Sequence, residues 1–403
     1  MRKLLCLILV CLLFLTSGCA PAADSETSVP PSSSEFTESS DSSEKESSLS
    51  SSEEPPSSAV DNLINSMSLE DKVRQLFFVT VGDRFSDLYT KPDDTVKEAV
   101  TSTRAGGYIL FAKNITTVEG TRALTGHIAN NCNLAPFIGI DEEGGLISRL
   151  ASAKLPGYAH QPQAADIGKS GDSDKAYNVG AYIGEALAKI GVNVDFAPDA
   201  DVLTEPGNTV IGTRSFGSDP QLVADMSSAF SRGLSEKGIL SAPKHFPGHG
   251  GTVGDSHKGF VSVSYDETHL NSVEYVPFVR AIANKIPFIL VGHITNKTAD
   301  GSGLPASLSS YFVTTVLRGQ LGYNGIIITD AMDMGAIADN YDIGTSAVMA
   351  LQAGVDMIMM PKQLDPAVNA VIKAVNDGTL TEERVNESLR RVLQTKADAG
   401  LIS

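Results

Sequence analysis

Eight short apolar runs, rich in β-branched residues and bounded by Gly, Pro or Asp, recur along the chain with helix-length segments between them. They are LFFVTVG from Leu76, GGYILF from Gly106, PFIGID from Pro136, VNVDFAP from Val192, GILSAP from Gly238, PFILVGH from Pro287, GIIITD from Gly325 and VDMIMM from Val355. Runs this short and this uniformly apolar read as strands buried on both faces, the condition of a parallel sheet covered by helices. The intervening segments carry a helical period: Val179, Ile183, Leu187 and Ile190 share one face, and Val385, Leu389 and Val392 another. The alternation predicts an α/β fold, a (β/α)8 barrel forming a single domain over residues 60–403, with a doubly wound open sheet as the alternative.

Polar residues follow the ends of at least five of these runs: Asp141, Asp199, Lys244 with His245, His293, and Asp330. In a barrel those ends converge on one rim, where the loops build an active site. Asp330 closes the apolar run Ile326–Ile328 and is placed to act as a nucleophile or a metal ligand, or to cap a following helix; Asp333 is its near competitor.

The densest chemistry lies in KHFPGHGGTVGDSH, Lys244 to His257. Lys244 and His245 continue the fifth strand. His249, Asp255 and His257 come next on a segment punctuated by Gly248, Gly250, Gly251 and Gly254, which predicts a mobile loop. Asp255 and His257 are two residues apart, so an extended backbone points them to the same side as a carboxylate–imidazole pair, suited to giving and removing a proton near neutral pH. His245, His249, His257 and Asp255 could instead hold zinc, although a glycine-rich loop is a poor template for a closed metal site.

KHFPGHGGTVGDSHKG, with DEEGGLISRL from Asp141, VIGTRSFGSDP from Val210, ITDAMDMGAI around Asp330 and MSLEDKVRQLF from Met67, closely resembles glycoside hydrolase family 3, in particular its single-domain β-N-acetylglucosaminidases. The resemblance covers nearly all of residues 60–403. It implies Asp330 as the nucleophile and His257, paired with Asp255, as the acid/base. It implies Asp141, Arg149, Arg214, Lys244 and His245 as the sugar-binding set, with His249 and Ser256 nearby in less defined roles. Glu142 stands where glutamine is common in that group and would add charge beside Asp141. The implied reaction is a retaining, exo-acting hydrolysis of terminal β-linked N-acetylglucosamine, with a carbohydrate substrate, no cofactor and no metal. A phosphorylase using phosphate as acceptor, a β-glucosidase of the same family, and a wall-binding protein without activity are the competing readings.

The front of the chain concerns location. MRKLLCLILVCLLFLTSGC has the layout of an export signal, residues 1–18, and Leu15 to Cys19 resembles a lipobox, which makes Cys19 the expected lipid attachment site. Residues 19–59 are Ser-, Glu- and Pro-rich, with nine acids against Lys45 between Ala20 and Ser58, and read as a disordered acidic linker. The expected product is an exported enzyme, lipid-anchored to the outer face of the cytoplasmic membrane, monomeric, and acting on peptidoglycan fragments. Once the signal is removed only Cys19 and Cys132 remain, and a lipidated Cys19 leaves no disulfide to form. A formal net charge of -17 argues against a nucleic-acid partner, since no basic stripe is present to neutralise phosphates.

Overall fold

The computed structural model describes residues 58–82, 88–254 and 259–402. The signal, Cys19, the linker up to residue 57, and the Asp255, Ser256 and His257 assignments lie outside the described residues, while Ser58 and Ala59, read as the linker's end, cap and open the helix Ala59–Ser66. The chain divides at Glu54/Pro55, and all eight apolar runs fall in the unit from Pro55 onward.

Each of these runs contains a strand. They are β1 Phe77–Thr80, β2 Gly107–Ile109, β3 Phe137–Ile140, β4 Val194–Asp195, β5 Leu240–Ser241, β6 Phe288–Val291, β7 Ile326–Thr329 and β8 Ile358–Met359. All pair in parallel: β8, β1, β2, β3, β4 and β5 form one sheet in that order, and β6 pairs with β7. Two seams close the ring. Phe246, just past β5, donates to the Leu290 carbonyl at 2.9 Å and accepts from the Gly292 N–H at 2.8 Å, joining β5 to β6. Thr329 donates to the Met357 carbonyl at 3.1 Å and Met357 to the Ile327 carbonyl at 3.0 Å, joining β7 to β8. The open-sheet alternative is therefore excluded.

Aromatic rings fill the barrel. Phe137 on β3 and Phe288 on β6 come from strands that are not neighbours, yet their centroids lie 5.2 Å apart, so the rings meet across the axis. Phe78 and Phe196 pack edge to face at the same separation. Glycine makes room for them: a Cβ on Gly107 would lie 2.4 Å from the Phe78 ring, and one on Gly139 would lie 2.6 Å from Phe196. Removing a methyl group's worth of wall admits a larger ring at native packing density.

Helices cover the outside where the 3.6 period placed them. Ser173–Lys189 buries Val179, Ile183 and Leu187, and Glu382–Asp398 buries Val385, Leu389 and Val392. The second of these also sends Lys396, fully buried, over the Phe137 ring at 5.2 Å, where its ammonium donates to Gln75 at 2.9 Å. Among the described residues no helix is long and apolar enough to cross a membrane.

Two short additions decorate the rim. After β3 the chain turns back in a hairpin, Glu142–Gly144 against Ile147–Ser148, and Val261–Val263 runs parallel to Ile294–Asn296 beyond β6.

Candidate active site

The ends of β3 and β5, with the segment after β4, bring five charged side chains into one network. The Lys244 ammonium donates to Asp141 Oδ1 at 2.9 Å and lies 2.7 Å from Glu143 Oε1. Arg149 donates to Asp141 Oδ2 at 3.0 Å. Arg214 grips Glu143 through Nε to Oε2 and Nη2 to Oε1, both at 2.8 Å. The side chains of Lys244, Glu143 and Arg214 are buried, whereas those of Asp141 and Arg149 are 19% and 26% exposed and so face the barrel mouth. Burial alone would raise both acids, but Lys244 with Arg149, and Arg214 with Lys244, hold Asp141 and Glu143 well below the ordinary carboxylate range. Burial likewise opposes the charge on Lys244 and Arg214, and their carboxylate partners overcome it. Fixed charges of this kind can recognise the hydroxyl and amide groups of a sugar without reorganising.

Glu143 belongs to this network although sequence reasoning passed over it. Glu142, expected to add charge beside Asp141, does not do so. Its carboxylate turns inward, fully buried, to accept from the Leu150 N–H at 2.8 Å and the Tyr158 hydroxyl at 3.0 Å, and burial raises its pKa. Side chains alternate along the extended segment after β3, so Asp141 and Glu143 share one side and Glu142 takes the other.

The histidine segment begins with a cis Lys244–His245 peptide and a cis Phe246–Pro247 peptide. Asp201, also missed in the sequence, holds the turn together. Its Oδ2 lies 2.7 Å from His245 Nδ1, and its Oδ1 accepts the backbone N–H groups of His245 at 3.2 Å and His249 at 2.7 Å. Fully buried, Asp201 would ionise reluctantly, but the His245 ring, and then His249 with its backbone N–H, lower its pKa. With Nδ1 turned to Asp201, His245 presents Nε2 towards Arg214, 3.4 Å away. Asp199 lies beside this arrangement, its Oδ2 3.6 Å from Arg214; burial, then the nearby Asp201, raise it well above the usual range.

Asp199, Asp201 and His245 offer ligand atoms within 4.8 Å of one another, a different set from the histidines weighed in the sequence. The cation facing them is the Arg214 guanidinium, and a metal ion would have to displace it from Asp199 and His245.

The expectation of a mobile loop from Gly248 onward is corrected for its first half. His249 is 2% exposed, and its Nδ1 lies 2.7 Å from the Thr252 hydroxyl. Burial, and then His245, push its pKa down to about 4, so the ring is neutral. The glycines here serve close packing. A Cβ on Gly250 would lie 1.9 Å from the Val202 carbonyl oxygen, and one on Gly251 would lie 1.6 Å from the Tyr265 hydroxyl. Exposure begins only at Val253.

Asp330 sits at the end of β7, half-buried, with its N–H donated to the Val291 carbonyl and its Oδ1 accepting the Ala331 N–H, both at 2.8 Å. It does not cap a helix: the next helix, Gly335–Ala338, follows Met334 and has no side-chain cap. His293, read as a rim residue, is fully buried, with Nδ1 2.7 Å from Ser307 Oγ and Nε2 3.1 Å from the Ala331 carbonyl, and so pins the turn that carries Asp330.

Residues 68–395 match the glycosyl hydrolase family 3 N-terminal domain. Beta-hexosaminidase A of Pseudoalteromonas piscicida is 32% identical over 341 residues, covering 78% of this chain and 57% of the relative. Beta-hexosaminidase LpqI of Mycobacterium tuberculosis is 32% identical over 340 residues, covering 82% and 83%. The fold is similar to that of a family 3 β-N-acetylglucosaminidase from Paenibacillus, with a TM-score of 0.78, 32% identity, and 83% of this chain and 63% of that one covered. The chain thus spans under two thirds of the first of these relatives and of the Paenibacillus enzyme, but most of LpqI.

Proposed function

The chain belongs to glycosyl hydrolase family 3, and from that premise we propose that it is a retaining exo-β-N-acetylglucosaminidase. The observation that carries this reading is the rigid charged cradle of Asp141, Lys244, Arg149, Glu143, Arg214 and His245 at the mouth of a barrel that also presents Asp330. The names of the hexosaminidase relatives support the sugar class.

In this mechanism the cradle binds the terminal N-acetylglucosamine through Asp141, Arg149, Arg214, Lys244 and His245, and Asp330 attacks the anomeric carbon. His257, as imidazolium oriented by Asp255, protonates the departing glycosidic oxygen. A glycosyl–aspartyl ester results, and neutral His257 takes a proton from the water that attacks it, releasing the sugar with its β configuration retained. A histidine–aspartate pair replaces the second carboxyl group usual in such reactions. Binding energy from the cradle favours the distorted transition state over the ground state. Trapping with a 2-deoxy-2-fluoro or similar activated donor, followed by peptide mass mapping, tests the assignment: the label belongs on Asp330, and a label elsewhere removes it.

We also propose that the protein is exported and lipid-anchored through Cys19, and that its substrates are peptidoglycan fragments ending in N-acetylglucosamine. The signal-like opening and the acidic linker support this. Activity recovered in the membrane fraction for the parent and in the soluble fraction for Cys19→Ala is the expected result; an unchanged distribution rejects the anchor.

A further inference from the structure

Beneath the histidine segment lies a carboxyl group that the reaction does not use. Glu274, 1% exposed, brings Oε1 to 3.2 Å from His269 Nε2, while its buried Oε2 has no hydrogen-bond partner among the described residues. Gly248 packs directly on it: a Cβ at Gly248 would fall 2.1 Å from Oε2 and 3.0 Å from the Glu274 Cβ. The φ of 137° at Gly248 is a second reason for glycine there. Gly248 donates its N–H to the His245 carbonyl at 2.8 Å, so the turn that carries the His245 ring rests on this carboxyl group.

Four titratable groups surround it. Asp201 acts on Glu274 from the turn side, His269 touches it, and Tyr265 stacks on His269 with centroids 3.9 Å apart. Tyr275 follows in the chain with a buried hydroxyl that has no hydrogen-bond partner among the described residues. None supplies a positive charge near neutrality, since burial lowers the pKa of His269. Burial, then Asp201, push Glu274 up to about 8. A neutral carboxyl group tolerates an unpartnered oxygen far better than a carboxylate does.

We propose that Glu274 is a positioning residue, a stop against which Gly248 seats and which sets the height of the Lys244–Thr252 turn, and with it the His245 ring in the sugar subsite. Above about pH 8 the carboxylate must seek water or move away from Asp201, and the turn moves with it. The kinetic part of this inference rests on the hydrolase reading; the stability part does not.

The test compares the parent with Glu274→Gln and Glu274→Ala on an aryl N-acetylglucosaminide across pH. Glu274→Gln keeps the shape and cannot ionise, so its kcat/KM should stay within about twofold of the parent at pH 7 and decline less above pH 8. Glu274→Ala should raise KM about tenfold, with a smaller change in kcat. Melting temperature gives an independent readout. A carboxyl group whose folded pKa is raised stabilises fully below its unfolded pKa and loses that contribution as pH rises through the folded value, so Glu274→Gln should gain on the parent from pH 5 to pH 8.5. Parallel melting curves for the parent and the Gln variant overturn the proposal, as does an Ala variant with parental KM. If the Ala variant does not fold, the Gln variant decides alone. A parent inactive on the glycoside defeats the hydrolase reading, while the melting comparison still decides the role of Glu274.

Discussion

Arg214 and Glu143 are joined by two parallel hydrogen bonds of 2.8 Å, between side chains 9% and 5% exposed. Such a pair is costly to break from one side, because the remaining charge stays buried. Glu143→Ala leaves both Arg214 and Lys244 short of a partner and should cost about 3–5 kcal/mol of stability. Urea unfolding monitored by circular dichroism measures this; a loss under about 1 kcal/mol, the worth of an exposed pair, would show that water reaches the site.

His257→Ala should slow hydrolysis in proportion to the need for leaving-group protonation. With a sugar leaving group the loss is expected at about 10²–10⁴-fold, and with a dinitrophenyl leaving group it should be far smaller in the first step. Equal losses on both substrates would remove His257 from the acid role.

Gly251→Ala separates close packing from flexibility as the reason for glycine at that position. The added methyl group collides with the Tyr265 hydroxyl, which is itself 3.1 Å from Thr204 Oγ1. Overpacking of this kind should cost about 1–3 kcal/mol, and Tyr265→Phe in the same chain should restore part of it. A variant as stable as the parent would return the glycine to a role in motion.

Stability should peak on the acid side of neutrality. Asp141, Glu143 and Asp201 have depressed pKa values, so their contribution is present above the unfolded carboxylate value and fades as pH falls below about 4. Asp195, Asp199 and Glu274 are raised, and their contribution fades as pH climbs from that value. His249, lowered to about 4, offsets one of these below pH 6.5, and Lys396, lowered to about 7, adds stability only above that value. Thermal melts from pH 3 to pH 7 should therefore show a maximum between about pH 4 and pH 6, and stability still rising at pH 7 would contradict the assignment of the raised groups.

Asp201→Asn should loosen His245 without altering Asp330. The amide can hold the backbone N–H groups of His245 and His249 through its oxygen, but its NH2 group cannot accept a hydrogen bond from His245 Nδ1. KM for the glycoside should rise more than kcat falls, and an unchanged KM would mean that His245 does not hold sugar.

All eight strands were legible because burial on both faces leaves an apolar run, and Phe288–Val291 and Ile326–Thr329 are buried throughout. The closed barrel was legible from the alternation and from the polar residues ending five of the runs, but its seams were not, since they depend on backbone pairing at Phe246 and Met357 rather than on side-chain type. At the rim, Asp141, Arg149, Arg214, Lys244 and His245 do come together, whereas Glu143 and Asp201 were hidden among neighbouring acids. Each lies two residues from an acid already singled out, Asp141 and Asp199, and the alternation that paired Asp255 with His257 would have found both. The glycines misled for a different reason: composition cannot separate a residue that bends from one that merely leaves room, and only the oxygen of Val202 and the hydroxyl of Tyr265 reveal the second case.

Val291 gives the seam between β5 and β6 a mechanical meaning. Its carbonyl receives the Asp330 N–H, and it is bridged to Phe246, one residue past His245. Asp330 and the histidine segment are therefore gauged from a common datum, and a substitution that shifts β6 carries both by the same amount. Their spacing can survive sequence drift that would misalign two independently mounted parts, while the exposed Val253 and Gly254 lie outside that common frame.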